Sequence, residues 1–146
     1  MHQFEQIHKA MGAEAFTQQV VTAAPYFSSI DPILTKLEYG YAEVSFKNDK
    51  KVHNHIGTIH AIAMCNAAEL AAGMATTVSI PEKARWIAKG MTVAYLAKAK
   101  TDLKVATEAS DVDFSVAGDI IVPVAAYDDS GTKVFTANIT MNVKHG

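Results

Sequence analysis

Along the chain the apolar positions change period several times, and each change marks an element. Phe4, Ile7, Met11, Ala15 and Val20 recur at steps of three to five. That spacing predicts one amphipathic helix over residues 3–22, inside an N-terminal helical segment 1–25. Ala24-Pro25 ends it, because a residue before proline is driven out of the α region. Residues 28–32 read as a connector. From Ile33 the period is two: Ile33, Thr35 and Leu37, then Tyr41, Glu43 and Ser45 alternating with Ala42, Val44 and Phe46. Two paired strands meeting around Gly40 are expected, followed by a polar loop over Lys47–Lys51.

Residues 58–76, TIHAIAMCNAAELAAGMAT, behave differently. They are apolar almost all round, with Cys65, Asn66 and Glu69 as exceptions, which predicts a central helix buried and wrapped by a sheet. Glycine costs about 1 kcal/mol against alanine inside a helix, so Gly73 points to close packing. Beyond Ile80-Pro81 the period of two returns, in residues 87–96, 102–108, 119–127 and 133–143. The last two flank Asp128-Asp129-Ser130-Gly131, a hairpin turn, and Pro123 fits a bulge or an edge position. The reading is α+β: a single domain, 1–146, with a largely antiparallel sheet on one central helix.

Composition narrows the function classes. With 146 residues and 49% hydrophobic content, the chain can bury a sizeable core, which excludes wholesale disorder. Thirteen Lys+Arg against fifteen Asp+Glu leave a net charge of −2, without the basic face that nucleic-acid binding needs. The single cysteine, Cys65, cannot form an internal disulfide and suits a reducing compartment. No apolar run reaches the ~20 residues of a membrane span, and MHQFEQIHKAMG lacks the layout of a secretory signal. A cytoplasmic protein with neither nucleic-acid nor membrane partners is expected.

Polar residues gather where the central helix begins, in His53-Asn54-His55-Ile56-Gly57-Thr58-Ile59-His60-Ala61. The first turn of a helix carries unpaired N–H groups and partial positive charge. Ala61 and Ile62 could therefore offer donors to a developing oxyanion, and Gly57 could let backbone approach a ligand. The plainer reading is a helix capped by Thr58. Glu69 is the second element, an acid among Ala, Leu and Met. Burying it costs several kcal/mol unless it is partnered; the plainer reading has it facing solvent or paired with a lysine. His60 and Glu69 lie nine residues apart, which on one helix means roughly 13 Å and nearly opposite sides. One carbonyl cannot touch both, so a site using both needs two copies of the chain.

The pattern Asn54-x5-His60-Ala61-x7-Glu69, with Gly57 between, resembles that of hotdog-fold acyl-CoA thioesterases, especially the phenylacetyl-CoA (PaaI-like) branch. Met91-Thr92-Val93-Ala94-Tyr95-Leu96 resembles the strand after the helix in those proteins. The resemblance implies a hotdog fold with strand and helix order β-β-α-β-β-β-β over residues 33–144, leaving the N-terminal helix as an extra. It implies that Glu69 activates water or attacks the thioester carbonyl, and that the Ala61 N–H polarises that carbonyl. His60 would contact the thioester region, and Asn54 would position water or substrate beside Glu69 of the partner chain. Gly57, His55, Asn66 and Lys89 complete the expected substrate contacts. Two departures stand out: the family often has His-Gly-Gly at His60-Ala61-Ile62, and the PaaI-like branch commonly has aspartate at Glu69.

The implied reaction is hydrolysis of an acyl-CoA by a homodimer, or a dimer of dimers, with no cofactor beyond the coenzyme A of the substrate. Its phosphates could meet Arg85, Lys89, Lys98, Lys100 or Lys104, although charged strand faces are usually just solvated. Rival readings are a metal site built from His53, His55 and His60 with Cys65 or Glu69, and Cys65 as a nucleophile. A hydratase on this fold and, with more weight, a non-catalytic acyl or acyl-CoA binding module are the others.

Overall fold

The helix at the centre, α3, spans Ala61–Ser79, and the computed structural model of residues 1–146 arranges everything else around it. Alanine at seven of its positions keeps the rod thin, so neighbouring backbone approaches closely. Ala67, Ala68, Ala71, Ala72 and Ala75 have essentially no exposure. The helix starts three residues later than its apolar run. Residues 58–60 are held in extended form by a bridge between His53 and Ile59 and by the His60 N–H donating to the Val52 carbonyl, 2.7 Å. It ends at Ser79 rather than 76, where Ile80 is extended ahead of Pro81.

Six strands wrap α3: β1 (Ile33–Glu38), β2 (Tyr41–Phe46), β3 (Arg85–Tyr95), β4 (Leu103–Thr107), β5 (Gly118–Tyr127) and β6 (Lys133–Lys144). All pairings are antiparallel, in the order β1-β2-β4-β5-β6-β3. The chain order is thus β-β-α-β-β-β-β. Inward residues such as Val44, Val105, Val122, Val124, Ile139 and Met141 close on the helix and are buried. In β1 the inward pair is Leu34 and Leu37, not the phase of Ile33, Thr35 and Leu37. A register shift between Leu34 and Lys36 absorbs the odd residue and lets both leucines face the core.

Pro123 occupies the half of β5 that extends past β4, whose pairing ends at Thr107 with Val124. Its carbonyl accepts from the Glu108 N–H at 2.8 Å. Along a strand the N and C=O of one residue face the same side, so the missing proline N–H forgoes only the reciprocal bond to Glu108, just past the last β4–β5 pair. Pro123 thus sits where a ladder ends inside the sheet, on a strand flanked by β4 and β6, and not at the bulge or edge position expected for it. β3 lies at the outer margin of the sheet, bonded to β6 alone, with eleven residues of edge on its other side.

The N-terminal segment is not one helix. It forms α1 (Gln3–Met11) and α2 (Ala13–Ala23), then a 3₁₀ turn over Pro25–Ile30 that takes in most of the expected connector. Gly12 breaks it with φ +90° and ψ 157°, a conformation essentially restricted to glycine. Apolar spacing continues through the break, so the periodicity conceals it. α2 packs against β1 and the Thr17 hydroxyl accepts from the Leu34 N–H at 2.9 Å. From α1, His8 bonds the Leu34 carbonyl at 2.7 Å. Replacing Gly12 by alanine should cost about 1–3 kcal/mol of stability, because the side chain strains this backbone. Chemical denaturation measures it; an unchanged midpoint would mean that α1 relocates without penalty.

Candidate active site

The loop entering α3 is organised by one side chain. Asn54 Oδ1 accepts from the N–H groups of Ile56 and Thr58, both at 3.1 Å, while its Nδ2 donates to Thr58 Oγ1 at 2.8 Å. The Thr58 carbonyl in turn accepts from the Asn54 N–H at 2.8 Å. Gly57, at φ +82°, turns the tip, and His55 stands exposed beside it. Thr58 is therefore committed to the loop, and the cap of α3 is His60: its Nδ1 accepts from the Ile62 N–H at 3.0 Å. That bond consumes one of the two donors expected at the helix start. The Ala61 N–H has no acceptor within the chain. Ala61 lines a shallow recess with Asn54, Met64, Tyr95, Leu96 and Lys98.

His60 is exposed and opens onto a different recess, with Tyr26, His53 and Asn66. Asn66 ties α3 to the 3₁₀ turn, its Nδ2 donating to Ser29 Oγ at 3.0 Å. Its Oδ1 is buried without a hydrogen-bond partner. One turn further on, Glu69 is half-buried, with neither a salt bridge nor a hydrogen bond inside the chain. It lies on the rim of a cavity of about 370 Å³ between α2, the 3₁₀ turn, α3 and Trp86. Glu69 is thus neither fully solvated nor matched with a lysine. Ala61 precedes it by eight residues, about 12 Å along the axis, and the two line separate cavities.

Lys89 stands apart from these recesses, paired at the surface with Asp119 at 2.9 Å. Lys98 is the one of the five basic candidates that lines the recess at Ala61. No three His, Cys, Asp or Glu side chains converge as a metal-binding group would require. Burial pushes the Cys65 thiol up, away from the thiolate form that a nucleophile needs.

Two features escape the sequence pattern. Glu43, placed by alternation on the polar face of β2, is only 6% exposed. It accepts from Thr35 Oγ1 at 2.7 Å and Tyr41 Oη at 3.0 Å, and burial with this bond pushes the Tyr41 phenol up to about 12. It serves the sheet, far from any recess. The second is the cavity wall itself, contributed by α2, Phe27 and Trp86, residues distant in sequence from Glu69.

Geometry of this kind, an apolar helix in a six-stranded antiparallel wrap, defines the hotdog class. Residues 12–143 match the family described as a domain of unknown function, DUF4442, and the chain belongs to that family. It is 49% identical to the solved structural-genomics protein APC5556, with a TM-score of 0.90 over 99% of this chain and 97% of that one. It shares its fold with a thioesterase family protein from Silicibacter pomeroyi (18% identity, TM-score 0.76, 88% and 96% of the two chains). The same holds for the thioesterase HI1161 from Haemophilus influenzae (10%, 0.73, 82% of each). No curated protein matches the chain.

Asn54→Ala removes the acceptor for two loop N–H groups and should lower stability by about 1–3 kcal/mol. Asn54→Asp keeps that acceptor and should lose clearly less. Thermal denaturation of the pair checks this; equal losses would mean that the carbonyl oxygen is not what holds the loop.

Proposed function

We propose that the chain hydrolyses acyl-CoA thioesters to a free acid and coenzyme A, as a homodimer with composite sites. The observation that carries this is the state of Glu69: an acid without a partner inside the chain, half-buried at the rim of an apolar cavity. Leaving a carboxylate so placed is costly, and a reaction that uses it explains why it is there. The thioesterase HI1161 and the Silicibacter pomeroyi thioesterase family protein, which share the fold, support the same substrate class.

Glu69 and the free Ala61 N–H lie about 12 Å apart on one helix, so the partner's Ala61 serves the Glu69 of each protomer. An unpaired β3 edge supports the pairing of two copies: long edges are templates for a second strand. Ile87, Tyr95 and Leu96, exposed by more than half, add apolar surface on and just past that strand. In the reaction, water adds to the thioester carbon as Glu69 takes its proton, or Glu69 itself adds to that carbon. The carbonyl electrons move to oxygen, where the partner's Ala61 N–H stabilises the charge. Collapse restores the carbonyl and breaks the C–S bond, and the thiolate leaves with the coenzyme and takes up a proton; where Glu69 was the nucleophile, water then cleaves the resulting acyl anhydride, releasing the acid and restoring the carboxylate. His60, fixed through Nδ1 to its own helix, is exposed and keeps its other nitrogen free to contact the thioester region. Asn54 acts through the loop that aims Ala61, and Lys98 is placed to meet a phosphate. The unpaired Cys65 suits a reducing, cytoplasmic setting.

Glu69→Gln should lower thioester hydrolysis by about 10²–10⁴-fold while leaving the fold intact. Ala61→Pro is the complementary test, since proline is tolerated at the first helical position and removes only the N–H. His60, at φ −64° and ψ 137°, already has the extended form required before proline. This variant should lose about 10²–10³-fold in kcat. Thiol release from short, medium, long and aromatic acyl-CoAs measures both. Full activity of Glu69→Gln would sink the proposal, and a wild-type protein that binds the panel without turnover would be an acyl-CoA binding module.

A further inference from the structure

We infer that the cavity beside Glu69 is the acyl-binding site, suited to an apolar acyl group of medium length, about eight to ten carbons. The inference deepens the thioesterase reading and rests on it for the position of the carbonyl.

Length comes first. The wall provided by α3 runs from Glu69 through Leu70, Gly73 and Met74 to Thr77. Eight helical steps give about 12 Å. A staggered carbon chain with bonds near 1.5 Å and angles near 111° advances roughly 1.25 Å per carbon. With its carbonyl at Glu69, a chain of roughly nine or ten carbons would reach Thr77. Volume is compatible: at about 30 Å³ per methylene, the share of a water molecule in the liquid, such a chain takes about 270–300 Å³, which a cavity of about 370 Å³ accommodates.

Polarity decides the chemical character of the tail. At the far end Trp86 Nε1 donates to Thr77 Oγ1 at 2.9 Å, and that hydroxyl donates to the Gly73 carbonyl at 2.8 Å. Both polar groups are thus spent on each other and on backbone, which disfavours a hydroxylated or charged tail against them; apart from Glu69, the remaining polar side chain of the lining, Gln19, is exposed on α2. Gly73 is required by the same wall. A Cβ at this position would stand 2.8 Å from the Trp86 ring, so the indole can lie flat on the helix only because the side chain is missing. The opposite side is supplied by Val20 of α2 and by Phe27. The N-terminal helices, extra to the β-β-α-β-β-β-β frame, therefore make the acyl site of this chain.

Trp86 is the only tryptophan, so its fluorescence reports on the cavity without depending on turnover. Glu69→Gln protein titrated with acetyl-, butyryl-, octanoyl-, decanoyl- and palmitoyl-CoA should change its emission, with octanoyl and decanoyl binding at least about tenfold tighter than acetyl or palmitoyl. In that background Val20→Phe narrows the cavity and should move the optimum to shorter chains, whereas Met74→Ala widens it and should move the optimum to longer ones. Circular dichroism confirms that each variant folds. A flat chain-length profile, or an optimum that neither variant shifts, overturns the inference even if the wild type hydrolyses thioesters. So does emission that responds to dilution of the dimer and not to acyl-CoA, which would mean that a second copy fills the cavity. Medium-chain binding that shifts with both variants, in a protein without hydrolysis, upholds the site and overturns the thioesterase reading.

Discussion

A helix that is apolar around its whole circumference must be covered on every side, and no single sheet can do that. The six strands enclose most of α3, and the chain spends its first thirty residues covering part of the remainder. What is left is a strip along Ile62, Asn66 and Glu69, where the helix meets neither sheet nor full solvent. On or beside that strip lie the unsatisfied Asn66 Oδ1, the unpartnered Glu69, the Gly73–Trp86 contact and the cavity between α2 and α3.

In the proposed reaction the same rod fixes the division of labour. Its leading end supplies a backbone donor, and its middle supplies an acid, but about two turns of helix separate them. His60 sharpens the arrangement by capping Ile62 and leaving Ala61 alone, so one donor and not two is on offer. A carboxylate and a donor held apart on one rigid element become useful together only when two rods are set against each other. The bare edge of β3 offers the means of doing so.

Much of this was legible in the residues, for identifiable reasons. Strand alternation is a local property, and it located all six strands; the hairpin at Asp128–Gly131 followed from turn chemistry, whereas Pro123 stands inside the sheet, at the end of the β4–β5 ladder. Periodicity failed where it is blind. It ran through Gly12, because a helix can stop and restart without losing its apolar phase. It did not show that Leu34 and Leu37 of β1 share the inward face, because a bulge shifts the register between them. It did not show that Glu43 is buried, bonded to Thr35 and Tyr41. At the site, Glu69 and Ala61 stood out as anomalies within a local pattern. Trp86 and α2 did not, since their meeting with Glu69 depends on how distant segments fold together.

The composite site is tested most directly by subunit exchange. Glu69→Gln and Ala61→Pro homodimers are each expected to be inactive, and they are dissociated, mixed and reassociated, with mixed dimers counted by native mass spectrometry. Random pairing puts half of the dimers in the mixed form, each with one intact site, so about a quarter of the wild-type thioesterase activity should return. Mixed dimers that form in full and stay as inactive as their parents would contradict a site shared between two helices.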